Sequence, residues 1–500
     1  MSQLLFSNAS IIDGSGADPF CGDILVSGDR IVKVASAIQA EGARRIDCTG
    51  LSLAPGFIDS HTHSDLQVIE GRTDKLRQGV TTEVVGNCGF SAYPAAHPPE
   101  DLRSFANGIF CGDDSWGWDS SEEYLRAIEH SRTANVVSLV GHGSLRIAVA
   151  GSRQGPLSEA QLRSMESLLE EAFAAGATGL STGLMYAPGS SAPQEELQRL
   201  CYVTAKAGKI YTSHIRSYFS GLVDAVDEQL ELARKSGGRL QISHLQAVGA
   251  ANWPLQEIAI DHIEQARADG IDVEFDCYPY VAGSTVLTQV LPQSALDGGV
   301  PALLQRLRDS ESRRAIRDEL NRINPWRWSD IYISSVATAA NQSAIGKNLQ
   351  ELAESRGTSP ADVTLDLLLD EEGGVNMLCF NQSMENLQVT LTHPCSTIIS
   401  DGFYVKGRPH PRLHGTFPLL LGSFTRDRGW LTLAQAVHKI TGKPAERYSL
   451  KHRGLLAPGF FADIVGFRAE TIDSPATYEC PAQAPLGIQF VYRNGSQAEF

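Results

Sequence analysis

The chain has 500 residues, 42% hydrophobic, 20% charged and 7% aromatic, a balance that excludes disordered, coiled-coil and collagenous chains. Its formal net charge is −16, and no basic stretch could track a phosphate backbone or an anionic leaflet, which argues against nucleic acid and membrane partners. The length leaves ample chain for one large domain with additions, or for two to three ordinary ones.

The N-terminus, Met1 to Phe6, lacks the basic segment and apolar run of a signal peptide. No apolar run reaches the roughly 18 residues of a membrane helix. Leu4–Ile12 and the stretch from Asp23 to Val34, around Gly28-Asp29, read as strands. Ala462–Phe467 and Gln489–Tyr492 have the same character, so both termini are expected to build one small β domain, a sandwich or barrel, from 1–55 and 452–500.

Between them, β-rich segments recur at Phe57–His63, Thr82–Gly86, Val136–His142, Gly179–Leu184, Ile210–His214, Leu240–His244, Val273–Tyr278 and Ser396–Ser400. Helical periodicity separates most of them, as in Leu162, Met165, Leu169 and Phe173 or Leu222, Val226 and Leu230. Ser158-x-x-Gln161, Asp119-x-x-Glu122 and Thr432-x-x-Gln435 have capping-box form. Eight strands alternating with helices predict an α/β fold, a TIM-like (β/α)8 barrel over 56–451. The eighth strand starts far beyond a normal crossover from the seventh, which places an insertion near 285–347.

A barrel enzyme carries its chemistry at the C-terminal ends of its strands. The first strand ends His61-Thr62-His63, where period two puts both imidazoles on one face. Alone, such a pair also reads as two ordinary histidines. The fifth and sixth strands end in His214 and His244, and the eighth in Asp401, a residue that also suits a turn before Gly402. Together, imidazoles and a carboxylate at four strand ends make a donor set suited to Zn²⁺ or a similar divalent ion. Cys88 ends the second strand in Gly86-Asn87-Cys88-Gly89, where a thiolate can reach the same ion. The nine cysteines are scattered, with no CxxC pair, which fits a reducing cytoplasm.

The sequence resembles the amidohydrolase superfamily and, within it, the N-acyl-D-amino-acid deacylases, or D-aminoacylases. Its carriers are Ala54-Pro55-Gly56-Phe57-Ile58-Asp59-Ser60-His61-Thr62-His63, Asn87-Cys88-Gly89, Gly179-Leu180-Ser181-Thr182-Gly183, Asp276-Cys277-Tyr278-Pro279-Tyr280, Ser400-Asp401-Gly402 and His410-Pro411-Arg412. Many relatives in the superfamily bridge two metals with a carboxylated Lys on strand four, and Thr178 to Leu184 contains no Lys. The deacylase branch uses a strand-two Cys instead, matching Cys88. The resemblance implies one tight zinc on Cys88, His214 and His244, and a second, weaker metal position flanked by His61, His63 and Asp401.

It also implies Asp401 as base and then acid, with Arg412, Tyr280 and Ser284 binding the substrate carboxylate. Tyr186, in Gly183-Leu184-Met185-Tyr186, reads either as a pocket residue that lines the site or donates to the polarised carbonyl, or as simple packing. The implied partner is a small N-acyl amino acid, and the D preference comes from the resemblance alone. Two positions depart from the family pattern. Gln246 replaces a common Lys, which points away from N-acyl-D-glutamate towards neutral side chains, and Tyr218 replaces a common acid. A cyclic-amide hydrolase of dihydropyrimidinase type is the runner-up, and a catalytically silent scaffold ranks below it. The sequence leaves monomer and homo-oligomer equally open.

Overall fold

The computed structural model describes residues 3–95, 98–112 and 115–499. Eight parallel strands form the barrel: β1 (Phe57–Asp59), β2 (Val80–Val85), β3 (Asn135–Gly141), β4 (Gly179–Gly183), β5 (Ile210–His214), β6 (Arg239–Ile242), β7 (Val273–Cys277) and β8 (Ser396–Ile398). They pair in sequence order from β1 to β8. The ring closes through a parallel bridge between Thr62 and Gly402, just past the ends of β1 and β8.

The expected alternation of strands and helices is present, and its edges differ in instructive ways. The first strand stops at Asp59, so His61 and His63 sit in the loop beyond it. Ser158 and Thr432 cap their helices through reciprocal bonds with Gln161 and Gln435. The cap at the third candidate lies one residue later than its spacing suggests: Ser120 accepts from the backbone N–H of Glu123, whose carboxylate reaches back to Asp119 N–H.

Both chain ends meet in one eight-stranded sheet. Ile464–Phe467 pairs antiparallel with Ser52–Pro55, and Gln3–Ile11 lies between Ser52–Pro55 and Phe20–Ser27. Phe57, Ile398, Phe417, Val465 and Val491 share one buried cluster, so the sheet is packed onto the barrel wall beside β1 and β8. Each such side chain removed from water stabilises the joint by about 1.5–3 kcal/mol.

The excursion between β7 and β8 is longer than 285–347. A three-stranded antiparallel sheet joins Ala282–Val286, Asn376–Phe380 and Ile331–Ser335. Helices Gly299–Arg308, Ser310–Ile323, Leu349–Arg356 and Pro360–Asp370 accompany it. Leu303, Leu320, Ile331, Leu349, Leu367 and Met377 give this unit its own core. The helical run from Lys347 therefore belongs to the excursion, because its apolar face is buried there. Among the described residues, no helix is long and apolar enough to cross a membrane.

Candidate active site

Barrel closure assembles the first part of the site. Asp401 N–H donates to the His61 carbonyl at 2.9 Å, and His63 N–H donates to the Gly402 carbonyl at 3.1 Å. These backbone bonds bring the two histidines of the β1 loop against the carboxylate of the β8 loop. His63 Nε2 lies 3.3 Å and His61 Nε2 3.5 Å from Asp401 Oδ1.

The β2 loop supplies the thiol. Cys88 has φ 53°, a left-handed conformation held between Gly86 and Gly89. Ser181 of β4 fixes this loop, accepting from Gly89 N–H at 3.0 Å and donating to the Gly86 carbonyl at 2.5 Å. Gly183 must lack a side chain, because a Cβ there would collide with the Cys88 carbonyl oxygen. Ser181 and Gly183 of Gly179-Leu180-Ser181-Thr182-Gly183 thus position Cys88 rather than act on a substrate.

Cys88 Sγ lies 3.2 Å from His61 Nε2 and 3.5 Å from His244 Nε2, and His214 Nδ1 lies 3.1 Å from His244 Nε2. Three overlapping triads result, in each of which the donor atoms lie within 4.8 Å of one another: His61, His63, Cys88; Cys88, His214, His244; and His61, His244, Asp401. All six side chains are buried.

This donor set fits zinc. His61 Nε2, His63 Nε2, His214 Nδ1 and His244 Nε2 turn towards one another, Cys88 Sγ and Asp401 Oδ1, and imidazole nitrogens, a thiol and a carboxylate gathered out of water are the donors that zinc takes. Burial, and the cost of placing a second cation beside His244, hold His214 well below its ordinary pKa. Burial also lowers His244 to about 4. Both imidazoles are therefore neutral at pH 7, the form that binds metal. Burial pushes the Cys88 thiol up to about 11, against the pull of His61, so a cation is needed to hold it as a thiolate. Burial would raise Asp401, yet the Arg412 charge and the hydrogen bond with His63 keep it far below the usual carboxylate range.

Three functional positions escaped the sequence reading. Asp276 on β7 accepts from His244 N–H at 2.5 Å through Oδ1, and its Oδ2 lies 3.5 Å from His61 Nδ1. It orients two candidate ligands at once, one of them in the left-handed region at φ 34°. Asp59 accepts from Ser400 N–H at 3.0 Å and from its hydroxyl at 2.5 Å, fixing the residue before Asp401. Lys75, 1% exposed, bonds Asp59 Oδ2 at 2.8 Å and neutralises it. The available signal was an acidic residue near the C-terminal end of a barrel strand, at Asp59 and Asp276. Asp276→Asn keeps the acceptor for His244 but loses the charge facing His61. Metal affinity is expected to fall about 10–100-fold, measured by chelator competition.

The proposed substrate residues separate into two layers. Arg412 is 1% exposed, with Nη1 2.9 Å from Asp401 Oδ2 and Nη2 donating to the Ser284 carbonyl at 3.2 Å. His410 sets its backbone by accepting from Arg412 N–H at 3.0 Å. Ser284 and Tyr186 line the cavity beside Cys88, His214, His244 and Asp401. Tyr280 lies one layer back, its ring edge-on to His410 at 4.9 Å, while Tyr278 faces the cavity. Gln246 also lines it and accepts from the Tyr278 hydroxyl at 2.8 Å. Tyr218 ties the ends of β5 and β6 together, accepting from Ile215 N–H and donating to the Ser243 carbonyl, both at 3.1 Å. His142, the first residue of the helix that follows β3, is instead held by Glu196 at 2.7 Å in a buried cluster with Arg146.

Comparison with known proteins agrees with this geometry. The family model described as "Amidohydrolase family" matches residues 44–496. A D-aminoacylase of Alcaligenes xylosoxydans xylosoxydans is 36% identical over 99% of this chain and 94% of its own length. An N-acyl-D-glutamate deacylase of the same organism is 35% identical over 99% and 93%. The crystal structure of N-acyl-D-glutamate deacylase from Bordetella bronchiseptica, complexed with zinc and a phosphonate inhibitor, superposes with a TM-score of 0.84 at 31% identity, covering 99% of this chain and 96% of that one. The chain belongs to the amidohydrolase family, on the branch of the N-acyl-D-amino-acid deacylases.

Proposed function

We propose that this protein hydrolyses the amide bond of N-acyl-D-amino acids in a zinc-dependent reaction, releasing a carboxylate and a free D-amino acid. The supporting observation is the convergence of Cys88, four histidines and Asp401 in one buried cluster, within a chain similar end to end to D-aminoacylases. Cys88, His214 and His244 would hold the tight zinc, with His61, His63 and Asp401 around a second, weaker metal position. The metal supplies Lewis acidity towards the amide carbonyl and lowers the pKa of water at the site.

The chain's own residues do the rest. Asp401, ionised beside Arg412, accepts the proton of the attacking water and returns it to the amide nitrogen as the C–N bond breaks. Arg412 lies behind the cavity wall, its guanidinium 4.7 Å from the Tyr278 ring and its buried Nε without a hydrogen-bond partner, and it would draw a substrate carboxylate to the side where Ser284 and Tyr278 line the cavity. Burial of these groups excludes bulk water and strengthens each interaction.

A neutral side chain is the preferred one. Among the described residues lining the cavity, Asp401 and the candidate metal ligands apart, none is charged, Arg412 lying just behind the wall, and Gln246 stands where an ammonium would attract an acid. A panel of N-acetyl-D-amino acids tests this, with release expected from methionine, leucine or phenylalanine derivatives rather than glutamate. In Gln246→Lys, a charge-assisted bond of about 1.5–3 kcal/mol would favour glutamate. The glutamate-to-methionine ratio of kcat/KM is expected to rise about 10–100-fold. An unchanged ratio would remove Gln246 from the specificity determinants.

The same reading divides the chain into a terminal β unit (1–55 with 452–500) and a barrel (56–451) that carries the 282–380 excursion. The free cysteines support a reducing compartment, the cytoplasm.

A further inference from the structure

A second chamber adjoins the active-site cavity, and the two share a wall. Ile109, Tyr186 and Gln289 line both. Beyond them, Phe90, Phe105, Val286, Leu296 and Val300 bound the chamber, with Ser104, Asn107 and Thr288 as uncharged polar groups between them, and none of its described lining residues is charged. Phe90 and Phe105 stack at 4.5 Å with 17° between their rings, and Tyr186 meets Phe90 edge-on at 4.9 Å. Such a space favours an apolar occupant, because only apolar surface gains by leaving water there.

Direction selects the occupant. A scissile amide carries the amino acid on its nitrogen and the acyl group on its carbonyl carbon. Ser284 and Thr285 are consecutive in one strand, line the same cavity and hold different partners. The Ser284 carbonyl holds Arg412 at 3.2 Å, and the Thr285 hydroxyl meets the Tyr186 hydroxyl at 3.0 Å. An amino acid whose carboxylate is drawn to Arg412 leaves the acyl group pointing at Ile109 and Tyr186.

Resting on the deacylase reading, we propose that this chamber is an acyl-chain subsite and that the natural substrates carry linear, medium-length acyl groups. The chamber has about 70 Å³ open to the centre of a water molecule. About 10–15 Å³ on that scale holds one water-sized group, which gives room for about five methylenes. With the acyl carbonyl and its neighbouring carbon in the active-site cavity, the fitted chain has about seven carbons.

The test is a series of N-acyl-D-methionines from acetyl through butanoyl, hexanoyl and octanoyl to dodecanoyl, with the zinc-loaded enzyme. kcat/KM is expected to rise about threefold per methylene to a maximum between hexanoyl and octanoyl, and to fall at dodecanoyl. Val300→Trp and Ser152→Trp, each of which would fill part of the chamber, should erase the rise and change acetyl turnover less than about twofold. Hexanoate should also inhibit more tightly than acetate in the wild type and equally in the two variants. A series that is flat or falls from acetyl overturns the subsite, as does a rise that survives both tryptophans. Failure to release amine from any member overturns the deacylase reading instead, so the two failures are distinct.

Discussion

Asp401→Asn should lower kcat about 1,000-fold or more while the protein keeps its tightly bound zinc. The carboxylate is held ionised by Arg412 at 2.9 Å and sits between two imidazoles, so it is the group placed to carry a proton between water and the leaving nitrogen. General-base transfer is worth about 10²–10⁴-fold, and an amide at this position cannot accept a proton. Proposed ligands Cys88, His214 and His244 are untouched, so zinc content by atomic emission should stay near one per chain. Arg412 is buried, and removing its counter-charge should cost about 3–5 kcal/mol of stability, read as a lower melting temperature. Asp401→Glu separates the effects: it keeps the charge and should recover most of the melting temperature, yet one extra methylene misplaces the carboxylate and turnover should stay low. Loss of zinc alongside activity in Asp401→Asn would make Asp401 a structural ligand rather than the proton carrier.

Cys88→Ala should remove the tight metal and, with it, more than about 100-fold of the activity. That exceeds the upper end of what an outer-sphere partner costs, because a ligand itself is lost. Burial makes the thiol a poor acid here, and metal binding is what repays its ionisation. Without it, His214 and His244 form an incomplete set at 3.1 Å from one another. The fold should survive, since Cys88 lies in a loop whose shape is set by Gly86, Gly89 and Ser181. Full zinc retention after dialysis against a mild chelator would exclude Cys88 from the metal position.

Much of this architecture is legible in the sequence, for physical reasons that differ by element. Most of the barrel strands show because they are short β-rich runs separated by helical periodicity, a pattern that needs no tertiary context to be recognised. His61, His63, Cys88, His214, His244 and Asp401 show because each is a metal-binding type at a strand end. What stays hidden depends on contacts distant in sequence. The excursion reaches Phe380 because Ser284 pairs with Leu378, a register invisible along the chain. Lys75 reads as an ordinary surface lysine until barrel closure buries it against Asp59. Asp276 reads as part of a motif, and only the fold places its two oxygens against His244 and His61. The cap at Ser120 rather than Asp119 shows how little one-residue spacing decides where two polar residues are adjacent.

The central claim is D-selective, zinc-dependent amide hydrolysis, and matched substrates test it most directly. Apoprotein and zinc-reconstituted protein would be assayed for free amine released from N-acetyl-D-methionine and N-acetyl-L-methionine under identical conditions. Release from the D substrate, restored by zinc to the apoprotein and at least about 100-fold faster than from the L substrate, is the predicted result; that ratio corresponds to about 2.7 kcal/mol of discrimination. Equal rates on both enantiomers, or D release that is indifferent to zinc, would contradict it.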